Sequence, residues 1–195
     1  MSRIFVPRDV AALAVGADRV AAAILTEAEK RGLTVEVVRN GSRGAFFLEP
    51  LVEVETPFGR VGYREISQDD VPSLFDAGFI SGGEHEACIG KTEDFPWFAK
   101  QTRLTFARCG IVDPLSIEDY AALGGWKGVL RALALGSIGT LEEVSMSGLR
   151  GRGGAGFPTG VKWKTVAMAK ADRKDRKSTR LNSSHTDISR MPSSA

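Results

Sequence analysis

The sequence predicts an α/β protein, and three observations carry that prediction. A helical periodicity near the N-terminus runs directly into a β-branched apolar segment. Two further strand-like runs flank a Pro/Gly turn, and a capped helical segment closes the group within about 75 residues.

Taken in order, residues 17–31 (ADRVAAAILTEAEKR) place Ala17, Val20, Ala21, Ile24, Leu25 and Ala28 on one helical face, and Gly32 stands where the helix should end. LTVEVV, 33–38, reads as a strand, and RNGSRGAF, 39–46, as a glycine turn. LVEVE (51–55) and RVGYREI (60–66) read as two strands separated by the turn residues Pro57 and Gly59. Ser67 is placed to cap a last short helix in SQDDVPSLFDAG. The doublet Asp69-Asp70 then reads as charge at a helix N-terminus rather than as a catalytic pair. Residues 1–77 thus form one small domain. Residues 78–100 are glycine-rich and irregular and read as a linker that packs on a neighbour.

Beyond the linker the pattern is helical. FPWFAKQTRLTFARCG predicts a helix bearing Phe98, Arg103 and Phe106 and ended by Gly110, with Cys109 packed at its end as a small apolar residue. Ser116 is the expected cap of SIEDYAALGG, with Asp119 three residues on. WKGVLRALAL (126–135) and GTLEEVSMSGL predict two more short helices, the second capped by Thr140. Trp97, Trp126 and Trp163 read as core or subunit anchors.

Composition narrows the classes of function. The chain of 195 residues carries a formal charge of +2, but its last residues, 175–195, hold four basic and two acidic side chains. Without them basic and acidic residues balance at 22 each, so no nucleic-acid partner is expected. No apolar run approaches the ~20 residues needed to span a bilayer, and Arg3, Pro7, Arg8 and Asp9 interrupt any secretory signal core. Cys88 and Cys109 are the only cysteines, too few and too far apart for a disulfide framework or a metal site. A cytoplasmic protein with reduced thiols is expected. His85 beside Glu84, Glu86 and Cys88 reads as a surface histidine, because no helix or hairpin gathers those residues. The segment DRKSTRLNSSHTDISRMPSSA, 175–195, resembles a translated sequencing adapter. It is expected to be non-native, with the natural chain continuing beyond roughly Lys174.

The chemistry concentrates in SGLRGRGGAGFPTGVKW, residues 147–163. Its glycines allow positive φ and close approach of backbone to a ligand, and successive N–H groups can form an anion-binding nest. Arg150 or Arg152 can pair with phosphate oxygens, Lys162 can add a point charge, and the Phe157 ring can stack on a base or an isoalloxazine. GRGGAG (151–156) fits G-x-G-x-x-G, yet a helix rather than a strand is expected before it, which disfavours a Rossmann site. A ligand cradle, a purely structural loop and an RNA contact all remain open on the residues alone.

The same stretch closely resembles the signature of the flavin-binding, NADH-oxidising subunit of respiratory complex I and of the diaphorase subunits of NAD-reducing hydrogenases and NAD-dependent molybdenum formate dehydrogenases. With the lead-in QTRLTFARCGIVDPLSIEDYAALGGWKGVLRAL, the resemblance covers about residues 76–170. It implies that 101–174 begin an FMN- and NAD(H)-binding α/β domain. In that domain Gly151, Gly153, Gly154, Ala155 and Gly156 would present backbone to FMN or NAD(H). Phe157 would stack near the dinucleotide, Lys162 would contact flavin phosphate or ribityl oxygens, and Arg152 would be a cofactor-binding or structural residue. No protein general base is implied, since the hydride chemistry is the cofactor's.

The N-terminal part resembles the thioredoxin-like ferredoxin domain that accompanies such subunits, with Ser42 and Phe46 standing where cluster thiolates would be. That implies a cluster-free domain, and the layout is most similar to the formate dehydrogenase diaphorase subunit. The resemblance further implies partner subunits, namely an iron–sulfur thioredoxin-like subunit and a catalytic molybdenum subunit. A 4Fe-4S cluster and an Asn-x-Asp-Glu flavin contact are expected C-terminal to this chain. The rival reading from another class is a non-catalytic assembly module.

Overall fold

A computed structural model describes residues 2–170; the adapter-like segment lies outside the described residues. The chain divides into two units that meet in sequence between Trp126 and Lys127. In the first, β1 (Ser2–Phe5), α1 (Val10–Ala14), α2 (Ala17–Lys30) and β2 (Val35–Val38) precede the hairpin of β3 (Val52–Thr56) and β4 (Gly59–Tyr63). Then come α3 (Val71–Asp76), β5 (Cys88–Lys91), α4 (Pro96–Ala99) and α5 (Ile117–Ala122). The sheet order is β2-β1-β3-β4-β5, with β1 and β2 parallel and the other neighbours antiparallel. The α/β class and the predicted hairpin are therefore present. Neither β1 nor β5 is among the predicted elements: each is four residues long, too short for an alternation to register, and Arg3, Gly90 and Lys91 blur the pattern further.

Strand alternation decides what each face of the sheet carries. Ile4, Val52, Val54 and Tyr63 turn to one face and pack with Val20, Ile24 and Ala28 of α2 and with Val71, Leu74 and Phe75 of α3. Each large aliphatic side chain fully buried there contributes roughly 1.5–3 kcal/mol. The buried stripe of α2 runs through Val20, Ile24 and Ala28, which leaves Leu25, predicted on that face, at its edge and half exposed. The helix ends as its glycine predicts. Gly32 takes φ +65°, its amide donates to Glu29 O at 3.0 Å, and Leu33 N donates to Ala28 O at 2.9 Å. Ser67 and Asp70 form a reciprocal capping box ahead of α3, and the Ser67 hydroxyl's hydrogen bond holds the Asp70 carboxyl below the usual carboxylate range.

The opposite face carries Phe5, Glu53 and Arg60, and here charge is buried. Glu53 Oε1 lies 2.7 Å from the Arg43 guanidinium and Oε2 3.7 Å from that of Arg60. The Arg60 guanidinium sits 3.3 Å over the Phe5 ring and donates to Gly110 O at 3.0 Å and Ile111 O at 2.7 Å. Asn40 Nδ2 also donates to Gly110 O, at 2.8 Å. Residues 101–110 depart from expectation: they form turns rather than a helix, and the end of the run is tied to the sheet domain through these bonds. Gly110 adopts φ +79°, and a Cβ there would fall 2.3 Å from Arg43 Cγ, so the predicted helix terminator is instead a site of close approach. Cys109 is exposed rather than packed.

Residues 78–100 likewise differ from a linker. They supply β5 to the sheet, and Phe98 closes a second apolar cluster with Ala45, Leu48 and Leu51, so the segment packs on its own domain.

In the second unit α6 (Lys127–Met146) is interrupted at Gly136, with φ 69° and ψ −177°, and α7 (Thr159–Met168) follows. The two halves of α6 stand where two helices are predicted, and α7 is not among the predicted elements. Thr140 does not cap the second, since its Oγ donates to Gly136 O at 2.7 Å from within the helix. Among the described residues of this unit only Gly160 is buried. Trp97, Trp126 and Trp163 are each about half exposed, so none of them occupies a core. No helix among the described residues is long and apolar enough to cross a membrane.

Candidate functional site

The glycine stretch forms an arch between α6 and α7. Its feet are joined by Thr159 N to Leu149 O and Gly151 N to Phe157 O, both 2.9 Å, around an antiparallel bridge between Arg150 and Pro158. Arg150 Nη1 donates to Gly156 O at 3.1 Å, so this side chain braces the arch from one limb to the other. That role has no signal in the sequence, where Arg150 and Arg152 are equivalent.

The glycines separate by physical cause. Gly154 and Gly156 have φ of 110° and 61°, conformations that side chains resist. Gly160 is needed for packing: a Cβ there would lie 2.7 Å from Ser145 Cα, which sets α7 hard against the second half of α6. Gly153 is different. Its φ is not positive and an added Cβ would meet nothing within 4 Å, so nothing inside the protein requires glycine there. The missing side chain leaves space on the outer side of the arch.

The amides of Arg152, Gly153, Gly154, Ala155 and Gly156 donate to no acceptor among the described residues. Arg152 is exposed, and Phe157 is 45% exposed with the Lys162 ammonium 5.6 Å from its ring centroid. Lys162 lies in the first turn of α7, where the helix N-terminus adds partial positive charge. Gly151, Arg152, Gly153, Gly154, Ala155, Gly156, Phe157 and Lys162 therefore share one arch and the helix turn behind it. Free amides, a cation and a half-exposed ring suit a phosphate attached to a planar ring system. A helix precedes the arch, as the sequence predicts, so the strand–loop–helix of a Rossmann site is absent from this segment. Beside it, Val129, Leu133, Leu141, Trp163 and Val166 line an apolar groove of about 820 Å³.

Among the described residues no group of three or more His, Cys, Asp and Glu could hold a metal ion. In the turn 41–46 the Ser42 hydroxyl donates to Glu49 Oε1 at 2.7 Å and accepts from Gly44 N at 2.9 Å, while Phe46 is exposed. A hydrogen-bonded carboxylate, its pKa raised by burial, occupies this turn instead of a thiolate pair. His85 lies with Nε2 3.1 Å from Ser73 Oγ and accepts from Ala87 N through Nδ1, and it belongs to no group of three or more metal-ligating side chains among the described residues.

No protein-family profile matches the chain. It is 49% identical over 75 residues to the NADP-reducing hydrogenase subunit HndC of Solidesulfovibrio fructosivorans, which is 38% of this chain and 15% of that protein. It is 52% identical over 48 residues to the F subunit of NADH-quinone oxidoreductase from Rhodobacter capsulatus, 25% of this chain and 11% of that one. Among solved structures, a thioredoxin-like 2Fe-2S ferredoxin from Aquifex aeolicus matches 49% of the chain and 96% of its own length at 20% identity, with a TM-score of 0.42. The matched segments span less than a sixth of the two relatives' length, and over those segments this chain is a homologue of HndC and of the F subunit of NADH-quinone oxidoreductase.

Proposed function

We propose that this chain is part of a diaphorase subunit that binds FMN and NAD(H) at the arch 151–157, within a cytoplasmic multisubunit oxidoreductase. The observation that supports it most directly is the arch itself, where five successive amides meet no acceptor and Gly153 is bare although no neighbour among the described residues requires it. Arg150 keeps the arch open by bracing Gly156 O, and Gly160 fixes its far foot against Ser145. Arg152 and Lys162 neutralise a phosphate at the arch, and Phe157 covers one edge of a planar ring. When bound, FMN would accept hydride from the nicotinamide and release electrons singly. The receiving iron–sulfur cluster, of the 4Fe-4S type in this proposal, lies outside this chain. Within the class, the layout of a cluster-free N-terminal domain ahead of the arch favours an NAD-dependent formate dehydrogenase with a molybdenum subunit and an iron–sulfur thioredoxin-like subunit as partners.

Titrating FMN, and separately NADH, into the 195-residue chain tests the proposal through flavin and nicotinamide fluorescence. Saturable binding weakened about tenfold or more by Gly153→Val and by Lys162→Glu is expected, about 1.4 kcal/mol each. Binding that ignores both substitutions, or no binding of either ligand, would leave the arch a structural loop and favour an assembly module.

A further inference from the structure

A second surface has no assigned role: the cleft of about 760 Å³ in the first unit, between the turn 41–46 and the irregular run 101–110. Its walls include three exposed aromatic side chains, Phe46 at 63%, Trp97 at 49% and Phe106 at 65%. Large apolar rings at one concave place are uncommon on a free surface and typical of the centre of a protein interface.

The charges at the cleft are left unbalanced. Elsewhere in the unit Arg3, Arg31, Arg39 and Arg60 each pair with a carboxylate, as does Arg43 in the cleft lining, while the exposed Arg8, Arg19 and Arg64 have no carboxylate partner among the described residues. Arg103 and Arg108, on the wall of the cleft, have only neutral partners among the described residues. Arg103 donates to Gln101 Oε1 at 3.2 Å and to Arg43 O, and Arg108 stacks 4.7 Å from the Tyr120 ring centroid. Asp9, also at the cleft, uses Oδ1 to cap α1, and its Oδ2 is buried out of reach of a bound chain. The cleft thus offers two guanidiniums in want of an anion and an aromatic floor. An extended peptide carries both complements, namely a side-chain carboxylate and an apolar side chain.

We propose that this cleft docks an acidic segment of a partner protein, one that sets an aromatic or large aliphatic anchor among Phe46, Trp97 and Phe106 and a neighbouring Asp or Glu against Arg103 and Arg108. It draws on the first unit alone, so it stands or falls apart from the cofactor reading of the arch. Aromatic and arginine side chains dominate interface energetics, and the charge pairing would fix register and partner choice.

The test is selection of random peptides of about 12 residues displayed on phage against the immobilised 195-residue chain, followed by fluorescence anisotropy of the enriched peptide. The expected consensus places Asp or Glu within a few positions of an aromatic or large aliphatic residue. Its affinity should fall about tenfold or more with Trp97→Ala and, independently, with Arg108→Glu, and a peptide with Lys for the acid should regain affinity for Arg108→Glu. Arg108 and Trp97 are surface positions, and far-UV circular dichroism of each variant checks the fold. No enriched consensus, a consensus without acid, or a peptide bound equally well by both variants would overturn the proposal; the last outcome would move the docking site elsewhere.

Discussion

The two units of this chain are built from similar apolar residues and use them in opposite ways. In the first, sixteen buried side chains among the described residues and their partly buried neighbours close one cluster between sheet and helices, and a second cluster with a buried ion pair closes the other face. In the second, Leu130, Leu133, Ile138, Trp163 and Val166 stay between 46% and 75% exposed on helices of comparable apolar content. The difference teaches that amphipathic sequence provides a core only where a second layer is present to receive it. The sheet is that layer in the first unit, and the described residues of the second unit contain no strand.

Substitutions can break or sharpen this contrast. The largest effect is expected at Glu53, whose removal leaves Arg60 buried without a carboxylate and Arg43 with only the half-exposed Glu93. Glu53→Ala should destabilise the first unit by about 3–5 kcal/mol in urea titrations followed by circular dichroism. Ile24→Ala and Leu74→Ala, at positions fully buried against the sheet, should each cost about 2–5 kcal/mol in the same titration. Gly110→Ala combines φ +79° with a clash on Arg43 and should cost about 1–3 kcal/mol, whereas Gly153→Ala should leave the unfolding midpoint unchanged.

A pH effect follows from Glu49. Burial raises its carboxyl above the ordinary 4.5, so the folded state favours the protonated form. Its contribution to stability is intact below that value and declines as pH rises from 4.5 toward the raised folded pKa. Melting curves of Glu49→Gln against the unsubstituted chain, from about pH 4 to about pH 7, should show the variant gaining relative stability with rising pH. The smallest effect belongs to the second unit. Leu130→Ala and Leu133→Ala should change stability by no more than about 0.5 kcal/mol, and a loss as large as that of Leu74→Ala would erase the contrast between the units.

What the sequence made legible followed from local physics. The α2 stripe, its Gly32 terminus, the hairpin and the Ser67 cap each depend on residues within a turn or two of one another, and each is present. Long-range bonding was not legible. Arg60 and Asn40 reach 50 and 70 residues along the chain to Gly110 O, and no periodicity in 101–110 could reveal that its last carbonyls serve the sheet. At the arch, the residue set was visible as a glycine-rich motif. The division of labour within it was not, because Arg150 as brace, Gly160 as packing contact and Gly153 as free surface differ only in three dimensions.

Gly136 carries a consequence for folding order. It cuts the 20-residue span of α6 into pieces of nine and ten residues. An isolated helix in water needs roughly 12–15 residues before propagation outweighs the nucleation penalty. Each half therefore falls under that threshold, so neither can act as a seed, and the foot of the arch at Leu149 is expected to form only after the halves find a surface to lie on.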